Sequence, residues 1–298
     1  MFNFILSPEE HQKWVNELII PTFTTDKKTS NTPTFILLTG QSGAGKSYSS
    51  LRYAQENLTE APVRFGTDDI RALHPHAAKI LQEDRANYAF KTKKDAGKAR
   101  SMLFDYCFQN KYNILIESIL LSPDDYKMQT LIQARENGYR IECVALGVHR
   151  NISEVSMYTR QEEQIKLSGV GFPATLEVHN EAYELLPEIL SKMNDFKTVD
   201  KISIYNRKHE CFYDSDKDIK NSIVIRDQLM RSRNSSLNNL EMTEIALKWE
   251  NVINMMHKRS APQREIEEVK ELYGNFVKKT GLLLFPEFIK FRQQQKAK

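Results

Sequence analysis

Nowhere in the 298-residue chain does an apolar run reach the roughly 20 residues a membrane-spanning helix requires. The opening Met1-Phe2-Asn3-Phe4-Ile5-Leu6 lacks the basic stretch of a secretory signal, and acidic residues follow at once. Cysteine is scarce. Cys107, Cys143 and Cys211 are far apart and odd in number, so neither a disulfide framework nor a zinc-ligand spacing is visible. A reducing cytoplasm is the expected setting. There is no excess of one charge: 42 Lys and Arg face 39 Asp and Glu, leaving +3. That balance gives no electrostatic reason to expect a nucleic-acid partner or an acidic membrane surface. Internal repeats and long low-complexity tracts are also missing. What remains is a chain long enough for one sizeable α/β core with an appendage.

The first element reads as a helix, because Ser7-Pro8-Glu9-Glu10 supplies a capping serine, a first-turn proline and a capping-box glutamate. Trp14, Leu18 and Ile19 follow at helical spacing, and Pro21 is expected to end it, with a polar linker from Thr22 to Pro33. Thr34-Phe35-Ile36-Leu37-Leu38-Thr39 then reads as a fully buried parallel strand. Further strands are expected at Val63-Arg64-Phe65, Asn113-Ile114-Leu115-Ile116, Arg140 to Val148 and, more weakly, Ile202-Ser203-Ile204-Tyr205. Helical stretches separate them, the clearest starting at Ser122-Pro123 and leaving at Asn137-Gly138. Alternation of this kind predicts a mainly parallel sheet covered by helices on both faces.

From about Asp214 the chain turns polar, with a turn-rich Ser232-Arg233-Asn234-Ser235-Ser236. Two amphipathic stripes follow: Ile245, Trp249, Val252, Ile253 and Met256, then Ile266, Val269, Tyr273, Phe276 and Val277. The expected division is an N-terminal helix and linker over 1–33, an α/β domain over 34–213 and a helical appendage over 214–298.

The strongest chemical signal is Gly40-Gln41-Ser42-Gly43-Ala44-Gly45-Lys46-Ser47, of form GxxxxGK(S/T), between a predicted strand and a predicted helix. Glycines let such a loop curl until its backbone N–H groups point inward as an anion nest, and the helix start adds its positive dipole end. These eight residues are therefore the expected ATP-binding set of a P-loop fold. Lys46 reaches the β- and γ-phosphates and the Ser47 hydroxyl ligates Mg²⁺. No guanine-reading Asn-Lys-x-Asp sequence is present. Asp68 and Asp69 lie just past the second strand, where a carboxylate can take the proton of an attacking hydroxyl; capping the helix near Ile70 is the plainer reading. Glu117 ends the third strand and can bind an acceptor hydroxyl, hold metal-bound water or make a plain structural hydrogen bond. Asn151 to Leu167 reads as a helix running into a flexible Ser168-Gly169-Val170-Gly171-Phe172-Pro173, the place of a lid in P-loop kinases.

Taken in order, these pieces resemble the zeta toxin family, P-loop kinases of UDP-N-acetylglucosamine, from about Leu6 to Arg207. The loop is similar to the family's Gly-Gln-(Pro/Ser)-Gly-x-Gly-Lys-(Ser/Thr) form. Asp68-Asp69-Ile70-Arg71 with His74-Pro75, Asn113 to Glu117, Tyr158-Thr159-Arg160-Gln161-Glu162-Glu163-Gln164, and His179-Asn180-Glu181-Ala182-Tyr183 resemble further family segments. The resemblance implies an ATP- and Mg²⁺-dependent kinase of a nucleotide-linked sugar, acting as a bacterial toxin or effector, with a cognate antitoxin protein as partner. It implies catalytic roles for Lys46, Asp68 as base and Arg160 at the γ-phosphate, and acceptor binding by Glu117 and Asp68. Three departures from the pattern stand out. Phe172 replaces a second phosphate-binding arginine, Ile119 and Leu121 stand where threonine and arginine face the acceptor, and a further carboxylate aligns near Ser101. Other acceptors (a dinucleotide, an antibiotic) and a nucleotide-binding switch without transfer are the competing readings.

Overall fold

The computed structural model describes residues 4–84, 87–122, 126–168 and 175–282. The chain enters through α1 (Pro8–Trp14), whose Ser7 Oγ accepts from Glu10 N–H while the Glu10 carboxylate takes Ser7 N–H. Pro21 does not end the helical run. One π-helical turn (Val15–Ile19) follows α1, and α2 (Ile20–Thr24) carries Pro21 in its first turn. A π turn shifts the backbone register by one residue, so a proline lacking its N–H can follow without the clash it causes inside an α-helix.

Six strands form one sheet in the order β2-β3-β1-β4-β5-β6: β1 (Thr34–Thr39), β2 (Val63–Arg64), β3 (Ile114–Ser118), β4 (Arg140–Leu146), β5 (Lys201–Tyr205) and β6 (Cys211–Asp214). All pairings are parallel except that of β6 with β5. The sheet is flanked by α3 (Lys46–Asn57), α4 (Thr67–Ala72), α5 (Ala77–Glu83), α6 (Tyr88–Gln109), α7 (Tyr126–Glu136), α8 (Arg150–Ser168), α9 (Leu176–Asp195), α10 (Ser222–Arg233), α11 (Asn239–Lys258) and α12 (Gln263–Thr280). The expected P-loop kinase-type fold, a mainly parallel sheet flanked by helices, is the fold observed. The expected first-turn Pro123 before α7 and the segment 169–174, expected to be flexible, lie outside the described residues.

The apolar run of β1 is read out face by face. Phe35 and Leu37 join the core against α6, α7 and α9, whereas Ile36 and Leu38 join Tyr53 and Ala54 of α3 on the opposite face. Strand alternation makes both faces bury apolar side chains, which is why the run shows no polar break. A third cluster gathers Ile245, Trp249, Val252 and Met256 of α11 with Ile266, Val269 and Phe276 of α12 around Val155 of α8.

Two expectations near the C-terminal third need correcting. Ser232 and Arg233 are not in a turn: they end α10 and are buried, with Arg233 Nη1 donating to Tyr183 O at 2.6 Å and its guanidinium over the Tyr183 ring. The polar segment after β5 also hides β6, whose short length gave too little alternation to notice. Among the described residues no helix is long and apolar enough to cross a membrane.

Candidate nucleotide site

The loop after β1 opens at the carboxyl edge of the sheet, beside the ends of β3 and β4. Gly43 and Gly45 have φ of +74° and +89°, in the left-handed region that side chains disfavour. Gly43 is doubly constrained, because a Cβ there would lie 2.0 Å from Ser153 O at the start of α8. Gln41, fully buried, anchors the loop by donating to Val148 O at 3.0 Å and Ser153 Oγ at 3.1 Å. Ser153 Oγ in turn meets His179 Nε2 at 2.9 Å, while His179 Nδ1 faces Asn180 Oδ1. That pattern assigns the proton to Nδ1 and makes Nε2 the acceptor. Burial holds the His179 imidazole below the usual histidine range, consistent with a neutral ring.

Lys46 and Ser47 begin α3. Lys46 Nζ bends back to donate to Gly40 O at 2.9 Å and Gln41 O at 3.0 Å. Burial lowers its pKa to about 8; Glu117 opposes that shift, and the charges of Arg160 and Lys127 reinforce it. Ser47 Oγ donates to Glu117 Oε2 at 2.8 Å. The other carboxylate oxygen of Glu117 accepts from Ser50 Oγ at 2.7 Å and from Arg64 Nε at 3.0 Å. Glu117 is thus gripped on both oxygens by α3 and the edge strand β2.

Lys46, Ser47, Glu117 and Arg160 line one cavity of about 340 Å³, with Gly43 and Gly45 at its wall. Asp68 is not among its lining residues. It sits exposed in the first turn of α4, where Arg71 Nη1 donates to it at 2.5 Å. Asp69 does cap this helix, though from inside it: α4 starts at Thr67, and the Asp69 carboxylate accepts Gly66 N–H at 2.7 Å. The end of α4 is strapped down by Trp14 Nε1 donating to Leu73 O at 2.8 Å and by His74 Nε2 meeting the buried Asp95 at 3.3 Å.

Residues 21–218 match the zeta toxin family, a span of more than half the chain. The chain belongs to the zeta toxin family. It is also 29% identical over 208 residues to Toxin PezT of Streptococcus pneumoniae serotype 4 (strain ATCC BAA-334 / TIGR4), covering 70% of this chain and 81% of the relative. Its fold superposes with a TM-score of 0.73, at 24% identity, on a chain from the PezAT chromosomal toxin-antitoxin system of Streptococcus pneumoniae, covering 86% of this chain and all of that one. The family match ends before α10, so α11 and α12 lie outside it.

In this zeta toxin-family chain the cavity holds residues that motif reasoning did not single out: Tyr48, Ser156, Thr159, Glu163, Arg207 and Lys248. Arg207 donates to Gly43 O at 3.2 Å and Ser156 Oγ at 2.7 Å, clamping the loop to α8. Its place just past the carboxyl end of β5 was a usable signal, since open α/β sheets bind ligands there. Nothing local marks Lys248. Arg150 and Lys166, also on α8, do not line the cavity: Arg150 pairs with Glu184 and covers the Tyr183 ring, and Lys166 is exposed. Lys127, in the first turn of α7, donates to Ile119 O just past β3.

Proposed function

We propose that this chain transfers the γ-phosphate of ATP to a hydroxyl of a nucleotide-linked sugar such as UDP-N-acetylglucosamine, as a bacterial toxin or effector. The observation that carries the reading is the meeting of Lys46, Ser47, Glu117 and Arg160 on one cavity beside the glycine loop. Backbone N–H groups of 43–47 and the Lys46 ammonium suit a triphosphate, and Arg160 offsets charge that develops on the transferred group. A hydroxyl and a carboxylate, Ser47 and Glu117, are hard oxygen donors of the kind Mg²⁺ takes. Bound there, the cation would supply neutralisation of phosphate charge. Ser47 would hold it, and Glu117, oriented by Ser50 and Arg64, would accept from water around it. That arrangement favours metal-bound water over an acceptor hydroxyl as the partner of Glu117. Asp68 serves as base once Arg71 yields it to the acceptor. Lys127 provides a cation on the side where Leu121 cannot.

A cognate antitoxin is the expected protein partner, in keeping with the PezAT neighbour, and the cytoplasm is the expected setting, in keeping with three free cysteines. The observation favouring a transfer-deficient nucleotide switch is the position of Asp68, exposed and paired outside the cavity. Incubation with γ-labelled ATP, with UDP-N-acetylglucosamine and separately with a bacterial metabolite extract, tests both. Label in a nucleotide-sugar product supports the kinase reading. ATP consumption without any phosphorylated acceptor supports the switch.

A further inference from the structure

Helix α8 has two working faces, separated by helical periodicity. Ser156, Thr159, Arg160 and Glu163, spaced by three and four, line the nucleotide cavity. Val155 and Tyr158 turn the other way, into the cluster built by α11 and α12, where Tyr158 meets the Trp249 ring at 5.4 Å between centroids. Glu162 completes that second face. Its side chain is 3% exposed and accepts from Arg259 Nε at 2.7 Å and Nη2 at 2.8 Å, a forked pairing that fixes direction as well as distance. A second tie joins Lys208, in the β5–β6 connection next to Arg207, to Glu241 at 2.7 Å.

These two ties fix how α11 passes the cavity. Glu241 and Lys248 are seven residues apart, two turns and about 10 Å along one helix face. The face that meets the connection carrying Arg207 at one end therefore presents Lys248 to the cavity at the other, and Lys248 is among the lining residues. Lys248 is exposed and makes no hydrogen bond or ion pair among the described residues. Among the described residues the cavity wall counts four cations, Lys46, Arg160, Arg207 and Lys248, against two carboxylates, Glu117 and Glu163, and Glu117 is already paired with Arg64. A wall with that excess calls for an anion, and the loop beside it is shaped for phosphate.

We infer that the α11–α12 hairpin is a wall of the nucleotide site and that Lys248 is a nucleotide-phosphate-binding residue. This rests on the ATP reading above and extends it to a part of the chain beyond the family match. The hairpin positions Lys248 through Glu162–Arg259 and Lys208–Glu241, as the sheet positions Lys46.

The test is calorimetric titration of Mg-ATP into the full chain and four variants: Lys248→Ala, Lys248→Arg, Lys258→Ala and Lys46→Ala. Lys248→Ala is expected to weaken ATP binding roughly fivefold at low salt, the scale of one exposed charge pair. The gap should narrow as salt is raised, since an exposed charge is screened. Lys248→Arg should restore affinity, and Lys258→Ala, an equal loss of charge elsewhere on α11, should bind as the parent does. The inference is overturned if Lys248→Ala binds ATP normally while Lys46→Ala does not, or if Lys258→Ala loses as much as Lys248→Ala. Normal binding in both Lys46→Ala and Lys248→Ala overturns the nucleotide reading along with it.

Discussion

The glycine loop and the α4 strap, proposed to serve one phosphoryl transfer, are built in opposite ways. Around Lys46 the supports are close and interlocking: Gly43 packs against Ser153, Gln41 is enclosed, and the half-buried Arg207 clamps a loop carbonyl. Asp68 has 76% of its side chain exposed and a single charged neighbour, Arg71. An anion nest is made of backbone groups that always carry their dipoles, so it can be rigid before anything binds. A general base must instead meet a proton on a second substrate, and it gains from an approach that substrate can displace. The α4 strap is firm where it joins the core, at Trp14 and His74, and open at Asp68.

Four experiments can break or sharpen that contrast. Asp68→Asn should leave ATP affinity unchanged and lower transfer by roughly 10²–10⁴-fold, the usual scale for a lost general base. Parent-like turnover in labelled-ATP assays would return Asp68 to a surface ion pair. Lys46→Ala should lower both binding and transfer, the latter by roughly 10²–10³-fold as for loss of one preorganised charge stabiliser; an undiminished Mg-ATP titration in the folded variant would refute the site. Gly43→Ala should cost about 1–3 kcal/mol in chemical denaturation, because the loop or α8 must move to admit a Cβ. Equal stability to the parent would mean that the loop is as yielding as the Asp68 turn.

The smallest effect concerns pH. Burial lowers the pKa of His74, under the strap, and of His179, behind the loop; Asp95 opposes the shift at His74 and Asn180 at His179. A histidine depressed in the folded state takes its proton more readily when unfolded. Stability is therefore fully present above the unfolded value near 6.5 and declines as pH falls below it. Thermal unfolding followed from pH 7.5 to 5 should show that decline, flattened in His179→Gln. A midpoint independent of pH would show that neither ring is held neutral.

What the sequence made legible was whatever rests on consecutive residues. The run Thr34 to Thr39 followed by the loop gave β1, the nest and the start of α3, because burial on two faces and φ > 0 each demand a residue type. Lys46, Ser47 and Glu117 followed from strand ends. Pro21 misled because the π turn that accommodates it has no composition of its own. Arg233 misled because Ser and Asn around it favour turns, whereas Tyr183 and its carbonyl hold it in α10 from another helix. Arg207 was within reach of strand-end reasoning, whereas Ser50 and Arg64 meet Glu117 only through packing, and Lys248 arrives on a helix two hundred residues after Lys46, which no local pattern encodes.

The docking of α11 and α12 on α8 also sets an order in time. Ribosomes make the chain from its N-terminus, so the loop, Lys46 and Arg160 emerge well before Trp249 and Arg259. Until those residues follow, Val155 and Tyr158 have no apolar cover and Glu162 no guanidinium. Helix α8 thus acquires its outer support only once Trp249 and Arg259 have been made, and a product ended before them leaves Val155, Tyr158 and Glu162 uncovered.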